Sequence, residues 1–110
     1  MNLASMHCTD NAPALDEAAS ADLLRQLPGW AVIDGKLQSS FAFKNYYETM
    51  AFVNALAWIS HQQDHHPDLM VSYKLCAVSY STHSAGGSLS LNDFICAARA
   101  SALSVQRTSA

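Results

Sequence analysis

Apolar positions recur at helical spacing in some stretches of this chain and alternate in others, and the switches mark its elements. Leu23, Leu24 and Leu27 form a stripe at helical spacing, and Asp16 is placed to cap a short helix running to about Leu27. Pro28-Gly29 stops it. From Trp30 the period becomes two: Trp30 to Asp34, then Leu37 to Phe43, with Leu37, Ser39, Phe41 and Phe43 on one face. Asp34-Gly35 between these runs predicts a hairpin closed by a type I′ turn, which needs positive φ at both central residues. Asn45 then caps a run from Tyr46 to Gln63 that lacks Gly and Pro, with Glu48 in capping-box position. Met50, Val53, Leu56 and Ala57 make its stripe, while Phe52, Trp58 and Ile59 fall outside it, so this helix is expected to be covered on two sides. His66-Pro67 ends it. Leu69 to Tyr73 alternates, a turn falls near Lys74, and Cys76, Val78, Tyr80 and Thr82 alternate up to His83, which predicts a second hairpin. Gly86-Gly87 is a loop, and Ser90 with Asp93 opens a last helix carrying Phe94, Ile95, Ala98 and Ala102. The order helix, hairpin, helix, hairpin, helix predicts an α+β fold: a four-stranded antiparallel sheet with three helices packed on one face. Residues 1–14 read as a mobile tail, 15–103 as one domain and 104–110 as a frayed C-terminal tail.

Composition narrows the classes. At 110 residues, 50% hydrophobic and 14% charged, the chain has material for one core. A net charge of −3 with scattered Lys and Arg excludes a basic nucleic-acid footprint. No apolar run approaches the roughly 20 residues of a membrane span. The first residues lack a basic region followed by an apolar one, so the cytoplasm is the expected compartment. Cys8, Cys76 and Cys96 contain no C-x-x-C pair; Cys76 and Cys96 read as small core side chains and Cys8 as part of the tail.

The candidate chemistry lies in the histidines, four of which fall between positions 61 and 83. His61 and His65 are spaced to share a helix face, His66 sits at the helix exit, and His83 ends a strand. In an antiparallel hairpin the strand that starts after Pro67 lies beside the end of the strand leading to His83. That register brings His65, His66 and His83 to one sheet edge. Three readings stand: acid–base chemistry by imidazoles titrating near neutrality, a catalytic zinc held by three histidines, and surface polar groups at a helix C-terminus. The spacing matches no metal signature.

Asp64-His65-His66-Pro67, then Thr82-His83, Gly86-Gly87 and the late Asp93 resemble the signature of the pterin-4a-carbinolamine dehydratases. Gly29-Trp30, Phe41-Ala42-Phe43-Lys44 and Asn92-Asp93-Phe94-Ile95 followed by Ala97-Ala98-Arg99 are similar to a bacterial branch of that family, and the resemblance spans roughly residues 15–103. It implies dehydration of 4a-hydroxytetrahydropterin to quinonoid dihydropterin, recycling the cofactor of aromatic amino-acid hydroxylases. It also implies that no metal or prosthetic group is used. Carried over by position, His65, His66 and His83 are the catalytic histidines. Asp64, Pro67, Ser81, Thr82, Asp93, Trp30 and His61 are the residues expected near the substrate. Asp93 is expected to orient a histidine, to cap the last helix, or both. Trp30 is expected as a wall of the site or a core ring. Family members form dimers or tetramers, so a homodimer or homotetramer is expected.

Two positions depart from the family pattern. His61 stands where a Glu is usual, and Leu69 where an aromatic residue is usual. A cation at His61 would oppose charge on His65, and Leu69 keeps an apolar wall without a stacking ring. Some relatives act through protein contacts, as dimerisation cofactors or assembly factors, so a non-catalytic member is the alternative.

Overall fold

In a computed structural model of the chain, residues 2–108 are described. Five runs expected from the sequence form in order, and the sheet they build is four-stranded and antiparallel with helices against one face. Helix α1 spans Glu17–Leu24, and the Asp16 carboxylate accepts from Ala19 N at 2.8 Å as expected of an N-cap. The helix stops a few residues before the expected Leu27, which is buried in the core instead. Strands β1 (Ala31–Ile33) and β2 (Lys36–Ala42) are joined by Asp34 at φ 52° and Gly35 at φ 76°, the two positive values a type I′ turn needs.

Helix α2 spans Tyr46–Gln63, capped by Asn45, whose side chain accepts from Glu48 N at 2.8 Å. Its buried face is Thr49, Phe52, Leu56, Ser60 and Gln63. The expected stripe through Met50 and Ala57 is therefore rotated by about one position. Phe52, placed outside the stripe by the sequence, is a fully buried core ring packing on Phe41 and Phe43 with centroids 5.0 and 5.1 Å away. With apolar residues around most of the helix, spacing alone does not select the buried face. Tyr46, Tyr47 and Trp58 point to solvent.

Strands β3 (Asp68–Val71) and β4 (Leu75–Tyr80) form the second hairpin, and the strand order is β1-β2-β4-β3. Register pairs Asp68 with Ser79 and Leu37 with Tyr80, so the end of β4 lies beside the start of β3. Cys76, Val78 and Tyr80 from β4 face the core with Leu37 from β2. Helix α3, Leu91–Thr108, completes it with Phe94, Ile95, Cys96, Ala97 and Ala100. Burying each of the larger side chains contributes about 1.5–3 kcal/mol.

Parts of both expected tails belong to secondary-structure elements. The N-terminal segment forms a short 3₁₀ turn at Leu3–Ser5, buries Leu3 and Ala12, and runs along α3. Arg99 holds the Met6 carbonyl through its Nε at 3.1 Å, and its Nη2 donates to the same oxygen. Leu15 N donates to the Leu89 carbonyl at 2.8 Å. At the other end, residues 104–108 fall within α3, while Met1 and residues 109–110 of the expected tails lie outside the described residues.

Candidate active site

The end of α2 determines where the histidines go. Asp64 adopts the left-handed conformation at φ 50°, which Asp tolerates better than most side chains. It terminates the helix, and His65 N closes the last turn on the Ser60 carbonyl at 3.2 Å. His65 is thereby carried off the helix surface, and the expected common face with His61 does not form. His61 remains on α2, exposed, its ring stacked on Trp58 with centroids 5.6 Å apart. It is absent from the cleft that the other histidines line.

That cleft encloses about 600 Å³. Asp64, His65, His66 and Pro67 line it from the α2 exit, and Ser81, Thr82 and His83 from the segment after β4. Asp68 and Asn92 add polar walls, and Thr9, Asp10 and Asn11 close it from the N-terminal segment. The β3–β4 register explains the convergence, since Asp68 opposite Ser79 brings Pro67 and Ser81 to the same edge. His83 differs from expectation in one respect: β4 stops at Tyr80, and His83 opens a 3₁₀ turn, exposed at the rim.

His65 and Asp93 form the centre of the arrangement. His65 Nε2 lies 2.6 Å from Asp93 Oδ1, and the carboxylate is fully buried. The other carboxylate oxygen accepts from Thr82 Oγ1 at 2.7 Å and from Ser90 N at 2.9 Å. Thr82 and Ser90 hydroxyls also meet at 2.7 Å. Asp93 is thus both a capping-box carboxylate for α3 and the partner of His65. A buried carboxylate with this many donors is satisfied as an anion. Burial of the His65 ring disfavours its charge. The hydrogen bond and the negative charge of Asp93, helped by Cys8 and Asp64, outweigh that and hold its pKa above the ordinary value. With the Nε2 proton directed to Asp93, Nδ1 is left as the proton-accepting nitrogen of the neutral ring.

Tyr80 supports His65 from behind, its ring nearly parallel to the imidazole, 8° between planes and 5.8 Å between centroids. Trp30 lies next in line, its ring tilted 36° to Tyr80 at 6.1 Å, and its indole N–H donates to Ser101 Oγ at 2.7 Å. Trp30 is therefore a core ring at one remove from the cleft and does not line it. Leu69 packs against the core edge, partly buried. Among the described residues, no group of three or more His, Cys, Asp or Glu side chains is arranged to hold a metal ion.

Sequence reasoning missed the third wall of the cleft. Asn92 clamps the backbone of Thr9 with both amide atoms: Thr9 N donates to Oδ1 at 3.1 Å, and Nδ2 donates to Thr9 O at 2.8 Å. Gln63 Oε1 accepts from Cys8 N at 2.8 Å. No local signal marks residues 9–11, because Asn92, the partner of Thr9, lies 83 positions away. Tyr80 was visible only as an inward residue of an alternating strand.

Comparison with known proteins identifies the family and the fold. Residues 13–103 match the sequence model of the family described as pterin 4 alpha carbinolamine dehydratase. A protein of Nitrosomonas eutropha is 56% identical over 93 residues, covering 84% of this chain and 81% of its own. One from Stenotrophomonas maltophilia is 61% identical over 94 residues, covering 84% and 80%. One from Chromobacterium violaceum is 51% identical over 106 residues, covering 94% and 96%. All three are provisionally named pterin-4-alpha-carbinolamine dehydratases. The crystal structure of a transcriptional coactivator/pterin dehydratase from Brucella melitensis superposes with a TM-score of 0.79 at 28% identity, covering 83% of this chain and 98% of that one. A shared fold over nearly the whole domain, together with a family match that contains every histidine of the cleft, places this chain in the pterin-4a-carbinolamine dehydratase family.

Proposed function

We propose that this chain dehydrates 4a-hydroxytetrahydropterin to quinonoid dihydropterin and water, using His65, His66 and His83 as general acids and bases. The observation that carries the reading is the buried Asp93 carboxylate bound to His65 at 2.6 Å, with His66 and His83 on the same cleft. The reaction removes a proton from N5, breaks the bond from C4a to its hydroxyl and protonates the departing oxygen. Two positioned groups of opposite protonation state suffice, and each contributes about 10²–10⁴-fold. Asp93 gives His65 a fixed tautomer and a stabilised imidazolium, which suits it to accept a proton. A cleft lined by the carboxylates of Asp10, Asp64 and Asp68 offers acceptors to the N–H groups of a reduced pterin. The pterin is the substrate, and the proposal uses no metal or prosthetic group. An aromatic amino-acid hydroxylase in the same cytoplasm supplies it.

In a coupled hydroxylase assay, the purified protein accelerates the loss of absorbance of the 4a-hydroxy intermediate. A rate equal to the spontaneous one overturns the proposal.

A second reading takes the chain as a binding member of the family, and one observation favours it: the Brucella melitensis neighbour is described as a coactivator as well as a dehydratase. The exposed rings of Tyr46, Tyr47 and Trp58 on α2 suit such contacts, including a homodimer or homotetramer. Calorimetric binding of a reduced pterin analogue separates the readings, since a purely structural relative has no use for the cleft.

A further inference from the structure

Cys8 and Cys96 are brought together by the fold from opposite ends of the chain. Their sulfurs lie 3.5 Å apart, with Cys8 in the N-terminal segment and Cys96 fully buried on α3. Cys8 is partly exposed. Its Sγ also lies 3.7 Å from the Asn92 carbonyl, and Asn92 is the residue that clamps Thr9. The next residues, Thr9 to Asn11, are the third wall of the cleft. Among the described residues noncovalent contacts hold that wall, from Asn92 to Thr9, and the residues just before it, from Gln63 to Cys8 and from Arg99 to Met6. The family match begins at residue 13, so this segment lies outside it.

We propose that Cys8 and Cys96 form a reversible, hydroperoxide-sensitive dithiol whose disulfide fixes the N-terminal wall of the cleft to α3. This goes beyond the dehydratase reading and does not depend on it. The chemistry starts at Cys8, the more exposed member. The Cys8 thiolate attacks the outer oxygen of a hydroperoxide, the O–O bond breaks, and an alcohol (or water) leaves with a proton. Cys8 becomes a sulfenic acid. The Cys96 sulfur then attacks the Cys8 sulfur, and the S–O bond breaks. The hydroxide released takes the Cys96 proton and leaves as water. Two thiols and one hydroperoxide become one disulfide, one alcohol and one water.

The order of events follows from the surroundings. The side-chain contact with Cys96 holds the Cys8 pKa below the ordinary value against the effect of burial, with His65 and Arg99 adding positive charge. That is the pattern of an attacking thiol. Cys96 is held above the ordinary value by the same contact and by burial, which keeps it in reserve as the resolving thiol. Cys76 is buried elsewhere in the core and takes no part. Bringing the sulfurs from 3.5 Å to a bond of about 2 Å asks for side-chain rotation on a segment that already lies in contact.

The test uses the full, reduced chain, challenged with a small excess of hydrogen peroxide. Intact mass spectrometry should show a monomer lighter by about 2 Da, the two thiol hydrogens. Non-reducing peptide mapping should link Cys8 to Cys96, and dithiothreitol should reverse the change. Cys8→Ser should abolish the link and leave Cys96 unoxidised. Cys96→Ala should let a dimedone probe trap the Cys8 sulfenic acid. Amide exchange at residues 7–12 should slow about 10-fold or more in the oxidised wild type. Cys8 advancing to sulfinic acid beside an intact Cys96 thiol overturns the proposal. So does a Cys8–Cys8 dimer, or a disulfide that leaves exchange at 7–12 unchanged.

Discussion

Replacing Asp93 with asparagine removes one charge and almost no volume from the most constrained point of the site. In the wild type one carboxylate oxygen meets His65 Nε2 at 2.6 Å, while the other accepts from Thr82 and Ser90 at 2.7 and 2.9 Å. An asparagine that keeps its carbonyl on Thr82 and Ser90 must turn its NH₂ group toward His65. The imidazole then has to accept at Nε2, so its proton moves to Nδ1 and the nitrogen left to accept a proton from substrate is lost. Losing a hydrogen bond to a charged group costs about 1.5–3 kcal/mol of stability. Under the proposed acid–base role of His65, kcat should fall by about 10²–10⁴-fold. The sign of the pH dependence separates this from general damage. With Asp93 in place, the His65 pKa is raised above the ordinary 6.5. The pair therefore contributes its full stability below that value and loses it as pH rises through the folded value. In Asp93→Asn, burial of the ring is opposed only by Cys8 and Asp64, and the folded value falls. The stability gap between the two proteins should widen as pH falls from about 8 to about 5.5. Urea unfolding across that range measures it, and the C–H resonances of the ring give the His65 midpoint directly. A gap that is flat or narrows toward acid, or an unmoved His65 midpoint, refutes the reasoning.

Three further outcomes are expected. His83 is exposed, so His83→Ala should keep stability within about 0.5 kcal/mol while lowering the dehydration rate about 100-fold or more; a retained rate removes it from the acid–base set. Leu3 is buried against α3, so Leu3→Ala should cost about 2–5 kcal/mol by denaturant unfolding, whereas a change within error would mean that the N-terminal segment is not part of the core. The buried Tyr80 hydroxyl meets no hydrogen-bond partner among the described residues. Tyr80→Phe should therefore leave stability unchanged or raise it by about 1 kcal/mol, and a comparable loss in thermal unfolding would show that the hydroxyl is satisfied.

What the sequence made legible was whatever is encoded within a few residues. The Asn45 and Asp16 caps, the Asp34-Gly35 turn and the Ser90–Asp93 pair are local chemistry, and each appears where its residue types demand. The convergence of His65, His66 and His83 followed from pairing two strands. The rest depended on partners remote in sequence. The bond from Asn92 to Thr9 joins positions separated by 83 residues, and a segment without periodicity announces nothing about such a contact. The buried face of α2 was off by about one position because its alternatives were equally apolar. Helical spacing predicts a common face for His61 and His65, and the single left-handed residue at Asp64 separates them.

The cleft draws on almost the whole length of the chain, from Thr9 to Asn92, with Asp93 behind it. During synthesis the His65–His66 pair leaves the ribosome well before the carboxylate that sets its tautomer. Until α3 has been made and has docked, His65 lacks its proton partner and Thr9 lacks its clamp. A truncated or stalled chain ending before α3 therefore carries all three cleft histidines without the carboxylate that binds His65 or the clamp on Thr9, so the arrangement is completed only with the last helix.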